Sequence, residues 1–285
     1  MTDRKAHMGD DLLIQTNNIS LKQIAESGQC FRMNQISEKR YGLVAFGEYV
    51  ELLQLDDCRA EVLGVPQEML PVWEDYFDLG YDYGSVVKML CEGEDVFLRK
   101  AAAFGSGLRI LRQEPFETLI SFIISQNKNI PAIKKIIEKI CLTYGEKKRR
   151  RIKGGSDIAY YAFPAPEKLA EAGKDALRTL GLGYRDEYVH GAALAVAEGR
   201  LDLCKLKDKS GEEVILELMA LRGVGRKVAS CVALFAFHKL ESVPVDVWIN
   251  RVIEEIYGGS FTWETYKDQA GLIQQYMFYY IRNGM

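Results

Sequence analysis

Residues 210–238 read SGEEVILELMALRGVGRKVASCVALFAFH, and this stretch decides the fold. Ser210 with Glu213 three residues later is the pattern of a capping box, which opens a helix. Two glycines close together, Gly223 and Gly225, end that helix, and a second helix follows them to the end of the stretch. We therefore predict two helices joined by a tight Gly-x-Gly hairpin.

The hairpin itself, Gly223-Val224-Gly225, is a candidate phosphate site. Its exposed N–H groups and the positive end of the second helix attract an anion without reading base sequence. Two glycines alone are more typical of an ordinary packed helical hairpin, and at this point both interpretations stay open.

Lys227 and Asp246 follow the hairpin and form a candidate catalytic pair. Lys227 lies in the first turn of the second helix, where the dipole disfavours a cation and favours the nucleophilic amine. That helix rises about 16 Å, and the extended chain after it can retrace up to about 23 Å, so Asp246 can return beside Lys227. The alternatives are a solvated lysine and an aspartate that only caps the next helix.

Composition places the chain among globular proteins. It has 285 residues, of which 48% are hydrophobic and 27% charged, enough for one large domain or two ordinary ones. No apolar stretch approaches the roughly 18 residues of a membrane span, and the polar segment Met1 to Asp11 has no signal core. We therefore expect a soluble, cytoplasmic protein. Its six cysteines form no close pair, so we expect free thiols in a reducing compartment and no cysteine-ligated zinc or iron–sulfur site.

Charge is divided unevenly along the chain. Residues 1–100 carry 10 basic and 18 acidic residues, whereas residues 101–285 carry 27 basic and 22 acidic ones. The densest basic stretch, 128–153, contains the run Lys147 to Arg151. We expect this run to be a solvated loop, with phosphate binding as the alternative.

The pattern predicts an α+β fold, with an N-terminal antiparallel sheet packed on a mostly helical body. Strands are expected at Leu12 to Thr16, Cys30 to Ile36, Tyr41 to Phe46 and Tyr49 to Leu55, with a type II′ turn at Gly47-Glu48. From about Glu68 onward, apolar residues recur at helical spacing. A glycine-containing break at 104–107 divides the chain into an N-terminal domain, 1–104, and a helical domain, 105–285. A second break is expected at Lys153 to Ser156.

Several motifs carry a resemblance to a known family. LRGVGRKVA at 221–229 followed by VPVD at 243–246 resembles the helix-hairpin-helix and Gly/Pro-Asp signature of DNA glycosylases, in which a lysine here marks bifunctional members. FIISQNKNI at 122–130, LGLGYR at 180–185 and SGQCF at 27–31 extend the match. Together they resemble the 8-oxoguanine DNA glycosylase/lyase family, in order, from about Leu12 to Arg282.

The resemblance implies a role for each matching residue. Lys227 would attack C1′ of a flipped nucleotide and form a Schiff base that leads to β-elimination, while Asp246 would stabilise positive charge on the sugar. Cys231 and Phe278 would sandwich the base, Gln274 would bind its Watson–Crick edge, and the Gly28 carbonyl would accept from N7–H of the lesion. Without the resemblance, Cys231 and Phe278 are packing residues and Gly28 is a turn glycine.

The opposite strand has its own expected contacts. Asn127 would fill the space vacated by the lesion and pair with the orphaned cytosine. Tyr184 would act as the wedge, and Arg185 would contact that cytosine. Without the resemblance, Tyr184 and Arg185 are simply part of a loop. Three residues depart from the eukaryotic members: Ala132 stands in place of an arginine, Arg222 in place of a hairpin proline and Trp248 in place of a phosphate-binding histidine.

The predicted function is therefore a bifunctional 8-oxoguanine DNA glycosylase with AP lyase activity. The expected partner is double-stranded DNA containing oxidised guanine, bound by a monomer that associates with DNA (the nucleoid, in a bacterium). No cofactor is expected beyond a structural cation that the hairpin carbonyls could hold. A glycosylase for another damaged base and a non-catalytic helix-hairpin-helix DNA-binding protein are the alternatives.

Overall fold

A six-stranded antiparallel sheet forms the N-terminal layer. The computed structural model describes residues 4–7, 11–152 and 157–285, so the break expected at Lys153 to Ser156 and parts of the segment Met1 to Asp11 lie outside the described residues. The strand order is β1-β2-β6-β5-β4-β3. The strands are β1 (Arg4–His7), β2 (Leu12–Gln15), β3 (Met33–Ser37), β4 (Arg40–Ala45), β5 (Glu48–Asp56) and β6 (Arg59–Leu63).

The hairpin between β4 and β5 turns one residue earlier than expected. Ala45 pairs with Glu48, which leaves Phe46 and Gly47 in the loop. Their φ angles of 52° and 68° are both positive, the requirement of a type I′ turn, so the prediction of a type II′ turn at Gly47-Glu48 is wrong. Phe46 is held in this conformation because its N–H donates to the Glu114 carboxylate at 2.5 Å and its ring packs against Trp73.

The third strand is shorter than expected, because hydrogen bonds to side chains take the place of strand-to-strand hydrogen bonds at its start. It begins at Met33 and not at Cys30. The Gln29 amide donates to the Arg109 carbonyl and accepts from the Leu111 N–H, both at 2.8 Å, while Gln113 donates to the Gln29 carbonyl. The segment before the strand is therefore fixed against a distant part of the chain and not against a neighbouring strand.

The rest of the described chain is mainly helical, as predicted. Its α-helices are α1 (Leu21–Glu26), α2 (Leu70–Tyr76), α3 (Tyr83–Glu92), α4 (Val96–Phe104), α5 (Pro115–Ser125), α6 (Ile130–Tyr144), α7 (Pro166–Leu177), α8 (Arg185–Ala197), α9 (Leu203–Leu206), α10 (Gly211–Met219), α11 (Arg226–Phe237), α12 (Val247–Tyr257) and α13 (Ala270–Asn283).

Two hydrophobic cores lie beneath these elements. The first joins the sheet to α1 and α2 and is centred on Trp73, Tyr76 and Phe77. The second runs through α3 to α13. Helices α3 and α4, which precede the break at 104–107, share this second core with α13. The domain division after residue 104 therefore stays a prediction.

The basic run is a strand and not the solvated loop that was expected. Strand β7 (Lys147–Arg151) pairs antiparallel with β8 (Asp157–Tyr161). Its second and fourth side chains, Lys148 and Arg150, turn toward the sheet and meet Glu48, with N···O distances of 3.6 and 3.1 Å. The pair of strands thus extends from the end of α6 onto the β4–β5 turn.

The helix-hairpin-helix forms as the sequence predicts. Ser210 and Glu213 make both hydrogen bonds of a capping box at the start of α10, and α11 begins directly after Gly225. Gly223 has a φ of 82°, and a Cβ there would lie 2.2 Å from the Tyr188 ring. Only glycine fits this backbone and this close approach.

Candidate active site

A cavity of about 600 Å³ opens where five segments of the chain meet. It lies at the junction of the loop after α1, the α5–α6 connection, the starts of α11 and α12, and the end of α13. Six of the predicted site residues line it: Gly28, Asn127, Gly225, Lys227, Asp246 and Phe278.

Lys227 extends from the first turn of α11 along an aromatic wall. Its Nζ lies 5.5 Å from the centre of the Phe122 ring, and that ring is stacked on Phe235 with centroids 5.5 Å apart. The lysine is half-buried. Its amine therefore reaches the cavity from a rigid apolar support.

Asp246 caps α12, as its alternative interpretation predicts. Its Oδ1 accepts from the backbone N–H groups of Trp248 and Ile249, each at 3.0 Å. These bonds fix the carboxylate at the cavity wall. The cap and a catalytic role are compatible, because the cap uses one carboxylate oxygen, Oδ1, and does not remove the charge of the group.

Cys231 lies one helical turn after Lys227 and is fully buried. Burial raises the pKa of its thiol, as does the negative charge of Asp246, while the positive charge of Lys227 opposes the rise. Both members of the candidate catalytic pair are thus close enough to influence the pKa of one thiol. The neutral thiol forms an apolar surface.

A smaller cavity of about 40 Å³ continues inward from the first. Its lining includes Cys231, Gln274 and Phe278 together with the catalytic candidates Lys227 and Asp246. Gln274 is only 3% exposed, and its Oε1 has no hydrogen-bond partner within the described part of the chain. An unsatisfied buried amide oxygen beside a cavity is suited to accept a donor from a ligand.

Gly28 adopts a left-handed conformation, with a φ of 76°. A Cβ at this position would lie 3.4 Å from the Phe278 ring and 3.5 Å from Ile130. A Cβ would make ordinary contacts here, so it is the positive φ and not a lack of space that favours glycine.

Asn127, Tyr184 and Arg185 meet at the outer rim. Asn127 has a φ of 51°, and its Nδ2 donates to the Tyr184 hydroxyl at 3.0 Å. Tyr184 is half-exposed, but Arg185 is buried: its guanidinium donates to the carbonyls of Gln126 and Leu182 and lies 4.3 Å from the Tyr184 ring centre. Arg185 thus supports the rim from below, and its contact to an opposing base stays a prediction.

The hairpin is tied to this rim by a residue that sequence reasoning missed. The Gln126 side chain donates to the Gly223 carbonyl at 3.1 Å. Val224 is buried, whereas Gly225 is exposed and extended at the N-terminus of α11. Phe122 and Arg282 are two further site residues that the sequence analysis did not name. Phe122 and Gln126 lie inside the motif quoted at 122–130, which is the signal that could have found them. The Arg282 guanidinium lies 5.2 Å from the Phe278 ring centre.

The described ranges contain neither a cluster of metal-ligating side chains nor a membrane-spanning helix. No group of three or more His, Cys, Asp or Glu side chains there could hold a metal ion. No helix there is both long and apolar enough to cross a membrane. A cation held by hairpin carbonyls stays a prediction.

Comparison with known proteins gives a consistent result. The model of the 8-oxoguanine DNA glycosylase N-terminal domain matches residues 11–119, and that of the HhH-GPD superfamily base excision DNA repair protein matches residues 120–273. An N-glycosylase/DNA lyase of Saccharomyces cerevisiae is 30% identical over 86% of this chain and 70% of its own length. The 8-oxoguanine glycosylase/lyase of Clostridium acetobutylicum, solved with double-stranded DNA containing cytosine opposite 8-oxoG, is 33% identical, covers 100% of this chain and 99% of its own, and superposes with a TM-score of 0.88.

Proposed function

The chain belongs to the 8-oxoguanine DNA glycosylase family of the HhH-GPD superfamily, and from this premise we propose that it is a bifunctional glycosylase and AP lyase that excises 8-oxoguanine from duplex DNA. The observation that carries the proposal is the cavity in which Lys227, Asp246, Gly28 and Phe278 converge. Each comes from a different segment; Gly28, Lys227 and Asp246 lie in motifs that resemble those of the family, and Phe278 matches a family position in the last helix.

The substrate nucleotide has to leave the helix before it can react. C1′ is inaccessible in a stacked duplex, so the damaged base is extruded into the cavity, at a cost of a few kcal/mol. Asn127 and Tyr184 stand hydrogen-bonded at the rim, where they fill the gap left by the base. Arg185 and Gln126 hold this rim against the hairpin.

The base then enters between Cys231 and Phe278. The inner cavity of about 40 Å³ is too small for a purine, so the Phe278 ring has to move away from Cys231 as the base binds. Gln274 meets the Watson–Crick edge with its unpaired Oε1, and the Gly28 carbonyl accepts from N7–H. N7–H distinguishes 8-oxoguanine from guanine, whose N7 is an acceptor.

Lys227 performs the covalent step. Its neutral amine attacks C1′ and forms a C–N bond, while the glycosidic bond breaks and its electron pair leaves with the base. Loss of a proton and opening of the sugar give the Schiff base, and removal of a 2′ proton then expels the 3′ phosphate. Asp246 stabilises the positive charge that develops on the sugar, from a position fixed by two backbone hydrogen bonds.

The hairpin holds the DNA backbone. The N–H groups around Gly225 and the positive end of α11 form an anion site that reads no sequence. The protein acts as a monomer on double-stranded DNA and needs no cofactor for these steps.

A panel of duplexes tests the substrate directly. Strands with 8-oxoguanine, other oxidised purines, alkylated purines or undamaged guanine are incubated with the protein, and base release and strand cleavage are measured separately. We expect both products from 8-oxoguanine opposite cytosine. Release of another base alone would favour a glycosylase for a different lesion, and binding without any release would favour a non-catalytic DNA-binding protein.

A further inference from the structure

The basic strand β7 has two faces with different surroundings. Lys148 and Arg150 face the N-terminal sheet, where the Lys148 amine donates to the Gly47 carbonyl at 3.0 Å and both side chains meet Glu48. Lys147, Arg149 and Arg151 alternate with them and are exposed. Only two of the five basic residues are therefore needed to attach the strand.

Two of the three exposed cations, Lys147 and Arg149, have no carboxylate opposite them in the ladder. No hydrogen bond or ion pair holds the side chains of Lys147, Arg149 or Arg151 among the residues that the structure describes. Across the ladder they stand opposite Tyr161, Ala159 and Asp157, and Arg151 also lines a cavity together with Glu51 and Glu61. Lys147 and Arg149 are therefore the least balanced of the three cations. Three like charges on one face repel one another, which an external anion would relieve.

Their spacing suits a polyanion rather than a single small anion. Alternate residues of a strand lie about 6.6–6.8 Å apart, so the three cations extend over about 13 Å. Duplex DNA presents one negative charge per about 1.7 Å of its axis, counting both strands. A straight row of cations can therefore contact several phosphates of one duplex at once.

The row lies outside the lesion site. Ile130 at the start of α6 lines the large cavity, whereas β7 follows the far end of that helix. The 15 residues of α6 extend about 22 Å. Nothing in the chemistry of base excision uses this face.

We infer that Lys147, Arg149 and Arg151 form a second DNA-binding surface, which contacts phosphates away from the lesion pocket and independently of damage. The surface raises the affinity for all duplex DNA and leaves the chemical step untouched. The phosphates belong either to the same duplex, beyond the lesion, or to a second duplex.

The test is a triple variant, Lys147→Gln, Arg149→Gln and Arg151→Gln, compared with a control of equal net charge. The control is Lys22→Gln, Lys100→Gln and Lys267→Gln, three exposed lysines on other parts of the molecule. Affinity for undamaged duplex is measured between about 50 and 200 mM KCl. Melting curves establish that both variants are folded, and single-turnover excision with saturating enzyme is measured on lesion DNA.

In the β7 variant, we expect the slope of log affinity against log salt to fall by about one for each lost phosphate contact, which is at most about three. The control variant should keep the wild-type slope. The single-turnover rate should stay at the wild-type value. Wild-type binding of one duplex per protein, weakened in the β7 variant, would mean that the same duplex supplies the phosphates. Binding of two short duplexes per wild-type protein, reduced to one in the β7 variant, would mean that a second duplex supplies them. An unchanged slope, or an equal fall in the control variant, would overturn the inference. Because undamaged DNA is the probe, failure here is distinguishable from failure of the proposed activity.

Discussion

We propose two functions for Asp246, a helix cap and a catalytic charge, which one substitution can separate. Its Oδ1 caps α12 through the N–H groups of Trp248 and Ile249, and its charge faces the cavity of Lys227. Asparagine caps about as well as aspartate but carries no charge. For Asp246→Asn we therefore expect excision to fall roughly 10²–10³-fold, the range for loss of a preorganised electrostatic group, with little change in melting temperature.

The control for this prediction is Asp246→Ala, which removes the cap as well. It should lose a similar factor in rate and, in addition, about 1 kcal/mol of unfolding free energy. Single-turnover kinetics and thermal melting are measured together. Wild-type rates in the asparagine variant would mean that Asp246 is only a cap.

We propose that Ala132 weakens the selection of the base opposite the lesion, because its side chain carries no hydrogen-bond donor. It lies in the first turn of α6, where its N–H donates to Asn129 at 3.0 Å. An arginine here could donate to the acceptor edge of cytosine, and a mismatched partner would leave that donor unpaired, at about 1–3 kcal/mol. We therefore expect this protein to excise 8-oxoguanine opposite thymine, guanine or adenine at rates closer to that opposite cytosine than in an arginine-bearing relative.

The measurement is single-turnover excision from four duplexes that differ only in the opposing base. Ala132→Arg should widen the differences between them. Strict dependence on cytosine in the wild-type protein, with the other three slower by factors of hundreds, would show that another residue has taken over the role of the arginine.

At the scale of the element, the two hairpin glycines have different functions. Gly223 has positive φ and no room for a Cβ beside Tyr188, whereas a Cβ at Gly225 meets nothing within 4 Å. Gly223→Ala should lower the unfolding free energy by at least the roughly 1–2 kcal/mol that a left-handed backbone costs. Gly225→Ala should lose far less unfolding free energy than Gly223→Ala, because a Cβ there has room, and it should bind DNA more weakly, because a methyl group at the proposed phosphate site would keep a phosphate away. Equal melting temperatures for both variants would contradict this account.

Elements with strong local signals were predictable from the sequence. The capping box, the paired glycines and the 3.6-residue periodicity define α10, the hairpin and α11, all of which are local in sequence. The β4–β5 turn was misplaced because Phe46 takes its conformation from Trp73 and Glu114, which are distant in sequence. The basic run was predicted as a loop because its alternation is hidden when every residue is basic; only the docking of Lys148 and Arg150 on Glu48 distinguishes the two faces.

The site was predictable residue by residue only through the family motifs. Spacing alone brought Asp246 within reach of Lys227, and the cavity that both line agrees with that. Gln274 and Phe278 lie far from the hairpin in sequence, and no local pattern links them to it. The inward direction of Arg185 depends on the carbonyls of Gln126 and Leu182, which no sequence pattern reveals.

Across the whole molecule, Arg32 connects the sheet layer to the helical body. Its guanidinium is buried and donates to Glu138 at 3.2 Å and to the Tyr161 carbonyl at 2.6 Å. Arg32→Leu should lower the unfolding free energy by about 1–3 kcal/mol, because it leaves a carbonyl unpaired at the junction. Arg200→Leu is the control: it removes the surface pair with Glu198 and should cost about 0–1 kcal/mol. Denaturant melts of the two variants compare these losses of unfolding free energy. Equal losses would mean that Arg32 does not stabilise the junction between the sheet and the helices.

The central claim is that Lys227 is the nucleophile. Borohydride trapping on a duplex with 8-oxoguanine opposite cytosine tests it most directly, because the reagent reduces a Schiff base to a stable covalent complex. The wild-type protein and Lys128→Gln, which removes an equal charge from the same cavity, should both be trapped. Lys227→Gln should bind the duplex in a gel shift but release no base and give no covalent complex. Undiminished trapping by Lys227→Gln would contradict the account.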